Sequence, residues 1–152
     1  GRDRLALGIA TLAGTGYAPV APGTAGSAVT LVALWLVPFS PLSLTLTLVG
    51  VILAGLWAGS RVERVLQRKD PGQVVIDEVA GMLLSVLLLP RTPAVLLAAF
   101  VLFRLLDIVK PFPAGWSQKL SGGIGVMLDD LIAGAYTLVL LSGSRALFGW
   151  PR

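Results

Sequence analysis

The stretch GGIGVMLDDLIAGAYTLVLL, residues 122–141, places three glycines and two adjacent aspartates directly before one of the most apolar runs of the chain. The 152 residues are 55% hydrophobic and 13% charged, and their mean hydropathy is +0.85. These values are typical of membrane proteins rather than of soluble domains. In so apolar a chain, two acids at the edge of such a run need a physical reason.

Five apolar runs predict helices, near Ala28–Phe39, Leu42–Gly59, Val79–Leu89, Ala94–Phe103 and Leu131–Leu141. Only the second run approaches the roughly 20 residues that a transmembrane helix needs. The others reach that length only if their helices continue into the polar motifs at their ends. We therefore expect an all-α membrane protein, a single domain over residues 1–152, built from short transmembrane or re-entrant helices.

Short turns at Ser40–Pro41 and at Pro90–Pro93 predict two antiparallel helical hairpins. The motif-rich stretches 17–27, 60–78 and 103–130 then share the opposite side of the membrane, together with most of the lysines and arginines. The positive-inside rule makes that side cytoplasmic. We expect a multi-pass protein with a polar active site on its cytoplasmic side. The net charge of +4 does not indicate nucleic-acid binding and suits anionic lipid headgroups.

Five of the eight acids lie at the edges of apolar runs on that side: Asp77, Glu78, Asp107, Asp129 and Asp130. Ionised carboxylates near hydrocarbon are costly unless they are paired or bound to metal. Because the chain has no histidine or cysteine, its oxygen ligands favour a hard cation such as Mg²⁺. The alternative is that Asp77, and one of Asp129 and Asp130, only cap helices.

Basic residues accompany one of these acids in FRLLDIVKP, residues 103–111. Arg104 and Asp107 are three residues apart, so they share a helix face and are placed to form an ion pair. The functional alternative has Asp107 on the metal while Arg104 or Lys110 holds phosphate oxygens. A helix end is expected near the proline at position 111.

Small residues precede two of the apolar runs. In PGTAGS, residues 22–27, the hydroxyls of Thr24 and Ser27 either cap the first long helix or help its free N–H groups to bind a phosphate. The glycines at positions 122, 123 and 125 either turn the chain or let its backbone approach a headgroup closely.

Four motifs in register, APGTAGS, VIDEVAGM, FRLLDIVKPFPAGW and GGIGVMLDDLIAG, resemble those of the phosphatidylglycerophosphatase A family over roughly residues 17–136. The resemblance implies an all-helical, Mg²⁺-dependent enzyme of the bacterial inner membrane that hydrolyses phosphatidylglycerophosphate to phosphatidylglycerol. The motif residues that it carries over are Thr24, Ser27, Asp77, Glu78, Arg104, Asp107, Lys110, Asp129 and Asp130.

The residue types that the sequence lacks exclude several phosphatase mechanisms. Because the sequence has no histidine or cysteine, it cannot form a phosphohistidine or phosphocysteine intermediate. It also lacks the DxDx[TV] motif that would indicate an aspartyl-phosphate intermediate. The simplest remaining route is attack by water activated by one or two Mg²⁺ ions, with Glu78 or Asp130 as general base. Two alternatives remain: an ion- or proton-coupled transporter that uses the clustered acids, and a non-catalytic lipid-binding protein.

Overall fold

The computed structural model describes residues 2–11, 22–66, 75–109 and 122–151, with 22–23, 63, 66 and 122–126 described by their backbone alone. Six helices lie in these ranges: α1 (Arg2–Ala10), α2 (Pro22–Leu36), α3 (Pro41–Leu66), α4 (Ile76–Ser85), α5 (Pro93–Val109) and α6 (Gly122–Phe148). The predicted all-α fold is confirmed. Helix α5 is described as far as Val109, and the helix end predicted near the proline at position 111 lies outside the described residues.

Two helices begin in the same way, each after a hydroxyl residue. The Ser40 Oγ accepts the N–H of Ser43 at 3.0 Å, and the Thr92 Oγ1 accepts the N–H of Val95 at 3.3 Å. In both cases a proline follows as the first helical residue, a position where its missing N–H removes no intrahelical hydrogen bond. These caps fix the two predicted hairpin turns, α2 to α3 and α4 to α5.

The two hairpin turns meet at one end of the helix bundle. The guanidinium of Arg91 in the second turn donates a hydrogen bond to the carbonyl oxygen of Phe39 in the first. We call this the turn end, comprising residues 37–40 and 86–92. The amino ends of α2 and α4 and the carboxyl end of α5 therefore lie at the opposite end, which we call the open end.

Helix α4 is the centre of the bundle. It contacts α2, α3, α5 and α6, and eight of its ten residues are buried. At about 1.5 Å per residue it is only half as long as a bilayer core is thick, so the longer helices around it enclose it. Its first turn carries Asp77 and Glu78 into the interior of the bundle.

Helices α3 and α6 are long and apolar enough to cross a membrane. The candidate spans are Pro41–Val62 and Met127–Phe148, and in an apolar 18-residue stretch of each only 28% and 22% of the residues are buried. Exposed side chains on them include Leu42, Leu53 and Val139, each more than 60% exposed. This outward apolar surface is what a lipid-facing helix presents, and it differs from the mostly buried core helix of a soluble protein.

The glycine-rich stretch before the paired aspartates is helical. Since α6 begins at Gly122, the interpretation of these glycines as a turn is wrong. The helix instead continues from the apolar run through both aspartates, which gives α6 its 27 residues. The apolar run alone is too short to span a membrane, and the helix reaches that length by continuing into the polar motif.

Candidate active site

The five predicted acids converge at the open end of the bundle. One carboxylate oxygen from each of Asp77, Asp129 and Asp130 lies within 4.8 Å of the other two, and the same holds for Glu78, Asp107 and Asp130. Each side chain belongs to a residue less than one tenth exposed. We call these five residues the acid cluster, and Asp130 is the member shared by both groups.

Helix capping does not account for the positions of these acids. The N-cap residue of α4 is Val75, and Asp77 and Glu78 follow in the first helical turn, where the helix dipole favours negative charge. Asp129 and Asp130 are the eighth and ninth residues of α6, two turns past its first residue. The capping alternative is therefore wrong for Asp77 and for the aspartate pair.

Arg104 lies among the acids and binds two of them through one nitrogen. Its Nη1 donates to Glu78 Oε2 and to Asp107 Oδ2, both at 2.8 Å. The predicted ion pair with Asp107 is present, and Glu78 is an additional partner. The Nε of Arg104 is buried without a hydrogen-bond partner among the described residues. Nε and Nη2 form an edge of the guanidinium that can bind two phosphate oxygens, so the ion pairs leave Nε available for a ligand.

Helix α2 brings a hydroxyl to the acid cluster. Ser27 is fully buried, and its Oγ donates to Glu78 Oε2 at 3.3 Å. Because α2 begins at Pro22, Ser27 lies in the second turn, and the prediction that it caps the helix is wrong. Thr24 is half-buried in the first turn, three residues earlier and on the same side of α2. Lys110 lies outside the described residues.

The electrostatics of the acid cluster favour a bound cation. Without one, burial and then the charge of Asp107 raise the pKa of Glu78 to about 7, although Arg104 acts in the opposite direction. The Oδ2 of Asp130 is buried and has no hydrogen-bond partner in the described part of the chain. Among the residues that the structure describes, five buried carboxylates lie around one guanidinium, and the carboxylate oxygens form a donor set that fits a hard metal cation.

Two glycines that the sequence interpretation did not single out position the acids. A Cβ on Gly81 of α4 would lie 2.8 Å from the carbonyl oxygen of Asp130 on α6, so the two helices approach closely here. Gly134 lies opposite on α6. Asp77 precedes Gly81 by four residues, and Asp130 precedes Gly134 by four. The D-x-x-x-G spacing occurs in both helices and could have indicated these glycines, because it puts each acid one helical turn from a site of close packing.

A cavity of about 600 Å³ does not coincide with this site. It opens at the turn end, where Leu89, Thr92, Ser142 and Arg145 are among its lining residues. The acid cluster lies at the other end of α4, α5 and α6. The cavity is therefore separate from the chemistry that the acids can perform.

Comparison with known proteins decides the family. Residues 8–145 match the family model described as phosphatidylglycerophosphatase A. The chain belongs to the phosphatidylglycerophosphatase A family. All described acids of the cluster fall within the matched residues, and so do Ser27 and Arg104. The predicted resemblance is confirmed over a longer part of the chain than the four motifs cover.

Curated relatives of the chain come from three bacteria. The chain is 38% identical over 150 residues to a Bacteroides thetaiotaomicron protein named "Putative phosphatidylinositol-3-phosphatase", with 93% of this chain and 94% of the relative covered. It is 34% identical to phosphatidylglycerophosphatase A of Escherichia coli, with 91% and 81% covered. It is 33% identical to phosphatidylglycerophosphatase A of Haemophilus influenzae, with 84% and 81% covered. No solved structure matches the chain.

Membership in the phosphatidylglycerophosphatase A family makes the chain a lipid phosphatase. This assignment favours the predicted enzyme over the transporter and over the non-catalytic lipid-binding protein. The relatives are named for two different lipid substrates. What the family establishes is the type of reaction, hydrolysis of a phosphomonoester on a lipid.

Proposed function

We propose that this chain hydrolyses phosphatidylglycerophosphate to phosphatidylglycerol and inorganic phosphate at the cytoplasmic side of a bacterial inner membrane. Two curated relatives carry the name of this activity, and they cover most of the chain. The cation is Mg²⁺, and its ligands come from the acid cluster, Asp77, Glu78, Asp107, Asp129 and Asp130, with one of Glu78 and Asp130 left as the general base. The phosphate-binding residues are Arg104, Ser27, Thr24 and Lys110.

One observation carries the proposal. The Nε of Arg104 and the Oδ2 of Asp130 are both buried and lack hydrogen-bond partners among the described residues. A buried donor or acceptor without a partner is costly, and in a native protein it commonly indicates a ligand. Here the unsatisfied donor suits a phosphate oxygen and the unsatisfied acceptor suits a cation. A phosphomonoester with Mg²⁺ supplies both ligands at once.

The residues of the site divide the reaction between them. Arg104 is held in place by Glu78 and Asp107, so its Nε is fixed before the substrate arrives and costs little reorganisation. Ser27 holds the same Glu78 oxygen from α2. A cation on the acid cluster would supply Lewis-acid stabilisation of the phosphoryl charge.

Hydrolysis then adds water across the phosphomonoester. The water oxygen bonds to phosphorus, the bond from phosphorus to the glycerol oxygen breaks, and that oxygen takes up a proton. We assign the general base to Glu78 or to Asp130, whichever does not hold the cation. Arg104 counters the negative charge on the phosphoryl oxygens as it is redistributed in the transition state.

A second substrate has support from one relative. The Bacteroides thetaiotaomicron protein is named for phosphatidylinositol 3-phosphate, which is also a phosphomonoester on a glycerophospholipid. The same arginine and acids suit that phosphate group. The two candidates differ in the alcohol that leaves, so direct competition between the lipids distinguishes them.

Release of inorganic phosphate by the detergent-purified protein tests the proposal. Both lipids should be supplied with matched acyl chains, with Mg²⁺ or with a chelator, and the Asp130→Asn variant should be included to exclude a contaminating phosphatase. We expect cation-dependent release that is faster from phosphatidylglycerophosphate. Faster release from the inositol lipid would reassign the substrate, and equal release with the chelator would remove the metal from the mechanism.

A further inference from the structure

An apolar groove of about 280 Å³ runs between α2 and α5. Its walls include Leu31, Val32 and Trp35 of α2, and Pro93, Leu96 and Leu97 of α5. Its lining side chains are all apolar. Trp35 is 56% exposed and Leu97 is 59% exposed, so the groove is open to the surroundings of the bundle.

The groove is built from the two helices that also carry the phosphate-binding side chains. On α2, Leu31 follows Thr24 by seven residues and Ser27 by four, which places all three on one side of the helix. On α5, Leu97 precedes Arg104 by seven residues and shares its side in the same way. Each helix therefore presents one stripe that begins at the acid cluster and ends in the groove.

The depth of the groove matches one leaflet of a bilayer. At a rise of about 1.5 Å per residue, Leu31 lies roughly 6 Å along the helix axis from Ser27, and Leu97 lies roughly 10 Å from Arg104. The end of α2 at Leu36 lies roughly 13 Å from Ser27, and half of the hydrocarbon core measures about 15 Å. A lipid with its phosphate at Arg104 would have its acyl chains at this depth.

From this continuity we infer that the α2–α5 groove binds one acyl chain of the lipid substrate while its phosphate is held at Arg104. The inference rests on the proposed function, because it takes the substrate to be a diacyl phosphomonoester. It adds a recognition element outside the polar site. The groove makes long-chain lipids better substrates than short-chain lipids with the same headgroup.

Leu97→Trp tests this inference by filling the groove from a position that already lies at the surface. Val139→Trp is the matched control, since Val139 is 68% exposed and lines a similar apolar groove of about 250 Å³ on α6. Both variants and the parent protein are assayed with dioleoyl and with dihexanoyl phosphatidylglycerophosphate in one detergent. Thermal unfolding of each purified protein confirms that it is folded.

We expect Leu97→Trp to lower kcat/KM for the dioleoyl lipid about tenfold, the loss that corresponds to roughly two methylene groups kept out of an apolar site. The dihexanoyl lipid should be turned over as by the parent protein, because its chains end near the start of the groove. Val139→Trp should change neither value.

Two results would overturn the inference. If folded Leu97→Trp keeps the parental ratio of dioleoyl to dihexanoyl turnover, the groove holds only bulk lipid or detergent. If the variant loses both activities equally, it has damaged the polar site and the groove is not selective. Failure of the parent protein to turn over either lipid would instead contradict the proposed substrate, and the same chain-length comparison would then be made with phosphatidylinositol 3-phosphate.

Discussion

Gly134 of α6 lies against the backbone of Gly81 of α4, so closely that a Cβ on Gly134 would be 2.5 Å from the Gly81 carbonyl oxygen. Real Cβ atoms do not approach backbone oxygens to that distance, so any larger residue must push the helices apart. Asp77 and Asp130 each lie one turn before this contact. The spacing of the two carboxylates therefore depends on the absence of side chains at Gly81 and Gly134.

Gly134→Ala should consequently damage both stability and activity. Overpacking of this kind costs about 1 to 3 kcal/mol, and the displaced α6 would move Asp130 away from Asp77. The measurements are the thermal midpoint in detergent and phosphate release. Gly143→Ala is the control on the same helix, since a Cβ there meets no atom within 4 Å. Equal behaviour of the two variants would mean that the close contact does not position the acids.

Asp130→Asn should separate catalysis from folding. Asparagine keeps the shape of the side chain but removes a buried negative charge that serves both groups of carboxylates. Turnover should fall by roughly two orders of magnitude or more, as for loss of a group that stabilises the transition state electrostatically. The metal-free variant should unfold at the parental temperature or higher, because asparagine needs neither a proton nor a cation to stay neutral among the other buried acids.

Mg²⁺ titration of the thermal midpoint supplies a second measurement for that variant. A cation that binds only the folded protein raises the midpoint with increasing concentration. The parent should show this rise, and Asp130→Asn should show little of it. A parental rise in the variant would place the cation elsewhere in the chain.

Arg104→Lys should impair catalysis through loss of the Nε–Nη2 edge. Lysine preserves the positive charge beside Glu78 and Asp107 but has no planar fork for two phosphate oxygens. We expect kcat/KM to fall roughly tenfold to a hundredfold, the range for a lost hydrogen bond to a charged group. Arg61→Lys is the control, since Arg61 pairs with Asp3 at 2.8 Å on the exposed surface. A purely structural role for Arg104 predicts a lower thermal midpoint with unchanged kcat/KM.

Glu78 should contribute to the pH dependence of the metal-free protein. Its folded-state pKa of about 7 lies above the usual 4.5, so between these values the folded state binds a proton that the unfolded state releases. The stability gained from protonation is complete below pH 4.5 and is lost as the pH rises through 7. Chelator-treated protein should therefore have a lower thermal midpoint at pH 8 than at pH 5.5.

Glu78→Gln should make that profile shallower, because its amide does not titrate. Proton release from Glu78 also predicts that Mg²⁺ binds more tightly to the parent as the pH rises toward 7. A profile that stays equally steep in Glu78→Gln would assign the dependence to other acids of the cluster.

Orientation in the membrane can be measured with single cysteines, since the 152-residue chain has none. Leu88→Cys places an exposed thiol at the turn end, and Arg64→Cys places one near the carboxyl end of α3. A membrane-impermeant thiol reagent should label position 88 in spheroplasts, and position 64 only after permeabilisation. The reverse pattern would put the acid cluster on the outer side.

Much of the fold follows from local sequence, but the helix ends do not. The apolar runs and the Ser-Pro and Thr-Pro turns predict α2 to α5 and their hairpins. The sequence did not predict that α6 extends to Gly122, because glycine is a poor helix former and the apolar run that indicates this helix begins only at Leu131. In the same way, the apolar run predicts a helix that begins after Thr24 and Ser27, whereas α2 begins at Pro22.

The composition of the site was predictable, whereas its pairings were not. Scarce acids at the edges of apolar runs indicated a shared cluster, and the spacing of Arg104 and Asp107 predicted their ion pair. The hydrogen bond from Ser27 to Glu78 joins residues 51 positions apart. Such a contact depends on how α2 packs against α4, and no local pattern encodes that arrangement.

Asp130 belongs to both three-acid groups, and this has a thermodynamic consequence. Two binding events that share a ligand atom or its carboxylate cannot be independent, so each changes the affinity of the other by the same factor. Any second cation would thus be coupled to the first through a single side chain of α6. The metal-binding curve would then no longer be the hyperbola of a single isolated site. The dependence of enzyme activity on free Mg²⁺ would be set by α4, α5 and α6 together.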